Sequence, residues 1–157
     1  MVNMRPFTAF EQRNLKFLIN HNVKFTQVEI TPTGLGKGIL DATAPMRAYF
    51  LENDIHNYGE QPQGQEYKQI KTASILTEST EFITKASFYR PNTKKGDPRM
   101  WIYGFGSYTV GNDIHVLFWF EKTLYSINIT RIDIEKCYNS AIITPMQEVL
   151  KAISIAG

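Results

Sequence analysis

Apolar positions in the first twenty residues recur with helical spacing. Leu15, Phe17, Leu18 and Ile19 follow Thr8-Ala9-Phe10-Glu11, whose Thr-x-x-Glu spacing is that of a capping box, so a helix is predicted over about residues 8 to 21. Val23, Phe25, Val28 and Ile30 predict a strand that Thr31-Pro32-Thr33-Gly34 closes. A second helix is expected where Thr43 or Asp41 can cap, with Pro45 in its first turn and Met46, Tyr49 and Phe50 along one face. Asn53 to Gln65, rich in Asn, Gly, Gln and Pro, predicts a loop.

Beyond that loop the period changes from helical to alternating. Tyr67 to Leu76, Glu81 to Tyr89, Met100 to Phe105, Ile114 to Phe120 and Leu124 to Thr130 are short runs rich in Ile, Phe, Tyr, Thr and Trp between turn residues, and predict strands. Ile114, Val116, Phe118 and Phe120 fall on one face and Leu117 and Trp119 on the other, as in a central strand covered on both sides. Across Glu121-Lys122-Thr123, Tyr125, Ile127 and Ile129 alternate with Ser126, Asn128 and Thr130, which predicts a hairpin partner with one wetter face. Thr144-Pro145-Met146-Gln147 opens a closing helix with Val149, Leu150 and Ile153 inward. Gly157, after its last apolar turn, reads as a domain boundary. The pattern predicts a single α+β domain over residues 1–157: a strongly twisted mixed or antiparallel sheet of about five to seven strands, open or barrel-like, with about three flanking helices.

Composition narrows the picture. No apolar run approaches the roughly 20 residues that span a bilayer, and the segment Met1 to Phe10 has no apolar signal core, so no membrane partner is expected. Cys137 is the only cysteine, which excludes intramolecular disulfides and cysteine-based zinc sites and suits the cytoplasm. The formal net charge of +2 is small, but Lys85, Arg90, Lys94, Lys95 and Arg99 gather in one stretch against the single acid Asp97.

That stretch carries the strongest local chemistry. Phe88-Tyr89-Arg90-Pro91-Asn92-Thr93-Lys94-Lys95-Gly96-Asp97-Pro98-Arg99-Met100-Trp101 places a basic loop between aromatic strands. Its Lys side chains suit phosphates, and the planar fork of an Arg suits the O6 and N7 edge of guanine. The alternative is a solvated hairpin tip in which Arg99 pairs with Asp97. Gly34-Leu35-Gly36-Lys37-Gly38 does not match the phosphate-loop frame and reads as a flexible turn. His21, His56 and His115 lack paired ligand spacing, His115 reads as a satisfied sheet residue, and Cys137 as buried. Glu66-Tyr67-Lys68, with Asp41 or Asp54 as an earlier acid, offers the Glu-x-Lys pair of a small Mg²⁺-dependent nuclease.

Lys85-Ala86-Ser87-Phe88-Tyr89-Arg90-Pro91 and Thr93-Lys94-Lys95-Gly96-Asp97-Pro98-Arg99, then Trp101 and Gly104, together with Thr33-Gly34-Leu35-Gly36-Lys37 and Ile39-Leu40-Asp41-Ala42-Thr43, resemble a pattern in accessory domains of restriction endonucleases, including larger proteins related to the MvaI and BcnI enzymes. The resemblance covers roughly residues 30 to 130 and implies a DNA-recognition module rather than a catalytic domain. The EcoRII-type DNA-binding pseudobarrel is a looser analogy of strand-rich architecture. Double-stranded DNA is then the expected partner, with a nuclease domain fused or in trans and no small-molecule or metal cofactor. Expected contacts are Arg90, Asn92, Thr93, Lys94, Lys95 and Arg99 on the loop, Lys85 and Lys37 in support, and Tyr89 and Trp101 as stacking or packing surfaces. Asn53, His56, Asn57 and Tyr58, from the polar loop, are expected as a second contact arm or a base-binding pocket. A small nuclease and a protein-interaction module are the competing readings.

Overall fold

The computed structural model describes residues 4–156. Its first helix, α1 (Ala9–Asn20), starts at a reciprocal cap: Glu11 N donates to Thr8 Oγ1 at 3.1 Å and Thr8 N donates to Glu11 Oε1 at 2.8 Å. Val23 N returns to Leu18 O and ends the helix, so β1 begins only at Thr26 (Thr26–Ile30). The glycine-rich segment is not a flexible turn. It forms a short helix, α2 (Pro32–Lys37), because Thr31 caps it through Gly34 N and Gly38, at φ +67°, ends it in the left-handed conformation. A two-residue strand, β2 (Leu40–Asp41), follows, and then α3 (Ala44–Glu52).

The segment read as a loop holds single 3₁₀ turns at Tyr58–Glu60 and Gln65–Tyr67 before β3 (Gln69–Leu76), β4 (Glu81–Tyr89) and β5 (Arg99–Ile102). Phe105 does not extend β5 but starts α4 (Phe105–Tyr108), its backbone turned by Gly104 at φ +100°. β6 (Asp113–Phe120) and β7 (Thr123–Asn128) form the expected hairpin through Glu121 and Lys122, both at positive φ, as a tight hairpin turn requires. Two helices close the described chain: α5 (Ile134–Tyr138), which the apolar pattern does not announce, and α6 (Pro145–Ala156), capped where Thr144 Oγ1 accepts from Gln147 N. The stop expected at Gly157 lies outside the described residues.

All the strands join one mixed sheet of order β1-β6-β7-β3-β4-β5-β2, with β3 and β7 parallel and the other neighbours antiparallel. Its end strands β1 and β2 are successive in the chain and joined only through α2, so the sheet curls into a nearly closed barrel with a seam at α2. Leu117, Phe88, Ile75 and Met100 pack with α3 on the inner side. Val116, Phe118, Ile127 and Leu76 pack with α1 and α6 on the other, so β6 is covered on both faces as its pattern predicts.

The wetter face expected on β7 is dry. Ser126 and Asn128 are buried because His115 and Asp113 face them: His115 Nδ1 meets Ser126 Oγ at 2.7 Å, and Asn128 Nδ2 donates to Asp113 Oδ2 at 2.9 Å. His115 is the satisfied sheet residue expected, its Nε2 meeting Thr109 Oγ1, and burial holds it down to about 3. Cys137 is buried, which raises its thiol above the ordinary value. Among the described residues, no helix is long and apolar enough to cross a membrane.

Candidate nucleic-acid interface

The basic loop joins antiparallel β4 and β5 over residues 90–98, and its shape comes from Arg90. Arg90 Nε donates to Gly96 O at 2.9 Å and Nη1 donates to Gln61 O at 3.0 Å, tying the loop to itself and to the turn after Tyr58–Glu60. Gly64 N also donates to Arg90 O. Gly96, at φ +71°, lies against Gln63, whose side chain would stand 2.7 Å from an added Cβ. Lys94 and Lys95 take positive φ, 50° and 58°, and both are exposed, as are Asn92 and Thr93. The loop is an exposed, braced tip, with Arg90 committed to holding it.

Arg99 pairs with Asp41 across β2 and β5, not with Asp97. Its Nε lies 3.2 Å from Asp41 Oδ1 with the Arg99 side chain 16% exposed, and the same Nε has no aligned hydrogen-bond partner among the described residues. The contact is therefore ionic and incompletely satisfied. It borders a groove of about 390 Å³ along the barrel seam, where Lys37 of α2, Lys94 of the loop and Arg99 of β5 meet the hydroxyl residues Thr31, Thr33 and Thr43. Glu29 and Asp41 supply the acids of this groove, and Glu29 accepts from Arg5 N at 3.1 Å. Lys37 and Lys94 have no ion-pair partner among the described residues. The sequence did not single out the threonines, because Thr31 and Thr33 read as turn residues and Thr43 as a helix cap.

At the two ends of the loop, Arg90 and Pro98 border a hollow of about 440 Å³ that Arg47, Leu51, His56, Asn57 and Tyr58 also line. Tyr58 is buried, donates to Arg99 O at 2.7 Å, and is raised well above the ordinary phenol value by that burial. The His56 ring stacks on Phe88 at 5.0 Å, and desolvation lowers its basicity. Arg47, which the sequence did not mark, anchors to Ala42 O at 2.6 Å.

Other expected residues lie apart. Asn53 ends α3 and donates to Tyr49 O, outside both hollows. Tyr89 is 7% exposed under the Lys68 ammonium, 5.0 Å above its ring, and the half-buried Trp101 meets Phe105 edge-on; both are packing rather than stacking surfaces. Lys85 is exposed on β4, four residues or about 13 Å along the strand from Tyr89. Glu66 lies within the 3₁₀ turn Gln65–Tyr67 and Lys68 directly after it, instead of the two pairing on a strand, and among the described residues no group of three or more His, Cys, Asp or Glu side chains is placed to hold a metal. Comparison of the chain with family models, curated proteins and solved structures finds no match to any of them.

Proposed function

We propose that the chain is a DNA-recognition domain of a restriction-type system, binding duplex DNA across the barrel seam and the basic loop. One observation carries this reading: Lys37, Lys94 and Arg99, which come from separate segments, converge on one hydroxyl-lined groove, with Lys37 and Lys94 not neutralised by an acid. Lys95 extends the cationic edge at the loop tip. Phosphates gain from such an edge by releasing counterions, and threonine hydroxyls add donors that fix register. Arg90 positions the loop, and Asn92 and Thr93 stand exposed beside it for further backbone contacts. The domain would work in the cytoplasm beside a nuclease domain, fused or in trans, which supplies the cleavage it lacks.

The test is a fluorescence-anisotropy titration of the chain onto a duplex of mixed sequence across a salt series. One phosphate neutralised by each of Lys37, Lys94, Lys95 and Arg99 predicts a log–log slope of about −3.6. A slope near zero, or no binding at low salt, would refute the reading.

A further inference from the structure

Two arginines border the hollow at the ends of the basic loop, and the fold leaves their charge unanswered. Arg47 Nη1 donates to Ala42 O at 2.6 Å, while Arg90 Nε donates to Gly96 O and Arg90 Nη1 to Gln61 O and Tyr58 O. Arg47 Nε and Nη2 and Arg90 Nη2 have no hydrogen-bond partner among the described residues. Neither arginine takes part in an ion pair among those residues, although both side chains are half-buried and a guanidinium keeps its proton at any ordinary pH. Asn57 adds a donor: its Oδ1 accepts from Gly59 N at 2.9 Å, which fixes the amide orientation and leaves Nδ2 without a partner among the described residues. No Asp or Glu is among the residues that line this hollow. Glu60 and Asp97, the chain neighbours of Gly59 and Pro98, are exposed, and Glu60 and Asp54 border the adjoining hollow. The seam groove differs, since Glu29 and Asp41 stand among its cations.

A hollow with donors and positive charge calls for a ligand that brings acceptors and negative charge. Nε and Nη2 of Arg47 are the two donors of one edge of its planar fork, spaced for bidentate contact with an oxyanion. We propose that this hollow binds a phosphate monoester, its head between Arg47 and Arg90 with Arg47 bidentate, and its organic part against Ala48, Leu51 and Pro98. A monoester carries close to two negative charges near neutral pH and three terminal oxygens, which match two guanidinium groups. A carboxylate or a DNA phosphodiester carries one charge and two such oxygens. The volume of about 440 Å³ suits a small ligand. The site goes beyond the DNA reading and stands whether or not that reading holds.

The experiment is a calorimetric titration of the full chain with phenyl phosphate and, separately, with benzoate, at fixed ionic strength and about pH 7.5, where the monoester is a dianion. Phenyl phosphate should bind one to one and more tightly than benzoate. Arg47→Gln should weaken it roughly ten- to a hundredfold, the scale of one charge-assisted hydrogen bond. Arg47→Lys, which keeps the charge but not the fork, should recover part of that loss. Lys37→Ala combined with Lys94→Ala should bind phenyl phosphate as the wild type does. If the Arg47 variants do not fold, this double variant decides the matter, because loss of binding in it would move the anion to the seam groove. A trithymidylate with and without a 5′-phosphate separates the two sources of a monoester: a gain from the phosphate admits the end of a nucleic-acid strand, and no gain assigns the site to a free small molecule. No binding of phenyl phosphate together with no gain from the 5′-phosphate, benzoate binding as tightly, or binding untouched by Arg47→Gln would overturn the proposal.

Discussion

Replacing Arg90 by alanine separates a structural clamp from a base reader. Arg90 sends charge-assisted hydrogen bonds of 2.9 Å to Gly96 O and 3.0 Å to Gln61 O, so its loss removes the tie between the loop and the His56 hollow. Hydrogen bonds to charged groups contribute about 1.5–3 kcal/mol each, and the side chain is half-buried, so water can recover part of the loss. A net cost of about 2–3 kcal/mol follows, which for a chain of this size lowers Tm by roughly 4–12 °C. Thermal unfolding followed by circular dichroism reads the stability, and a duplex panel differing by one base pair reads the preference. Arg90→Ala should melt early and bind all duplexes more weakly by a similar factor. An unchanged Tm together with relaxed preference at one position would refute the clamp and restore Arg90 as a reader of guanine.

Acid should weaken the fold through named groups. Glu11, bonded by the Arg5 guanidinium at 2.6 and 2.9 Å and by Thr130 Oγ1 at 2.5 Å, is held down to about 2, so the stability it contributes is present above about pH 4.5 and is lost as pH falls towards about 2. In urea titrations the difference between wild type and Glu11→Gln should shrink over that window, and a pH-independent difference would contradict this. His115, neutral in the fold down to about pH 3, makes stability fall from about pH 6.5 downward, because the unfolded chain takes up the proton first; His115→Gln should lose that upper part of the acid slope. With Mg²⁺ or Mn²⁺ the chain should leave plasmid DNA uncut, and cleavage that disappears in Glu66→Ala and Lys68→Ala would replace the recognition reading with a nuclease.

Elements governed by local pattern could be read from the sequence. The Thr8–Glu11 capping box lies within one helical turn, and the alternation through β6 records burial on both faces. The helix α2 could not, since a six-residue segment with two glycines has no helical propensity and depends on the Thr31 cap and the Gly38 turn. Ser126 and Asn128 look solvent-facing by residue type and are dry only because of the His115 and Asp113 partners that strand pairing brings to them. At the candidate site, the sequence located the cations but not where each one goes. Arg90 and Arg99 carry the same charge at the two ends of one loop, yet one is turned onto carbonyls and the other onto Asp41, a residue distant in sequence. Lys37 joins Lys94 because β2, which follows α2, pairs with β5, the strand that the basic loop leads into.

The salt dependence of DNA binding in a charge-removal variant tests the central claim most directly. Lys37→Ala, Lys94→Ala and Lys95→Ala combined remove three ammonium groups from the seam and the loop tip without touching Arg90 or any buried side chain. Each phosphate left without its ammonium reduces the magnitude of the log–log slope by about 0.9, so the triple variant should flatten it by roughly 2–3. Lys136→Ala, which removes an exposed charge on α5 over the other face of the sheet, should leave the slope as it is. A triple variant that folds and keeps the wild-type slope would contradict the account.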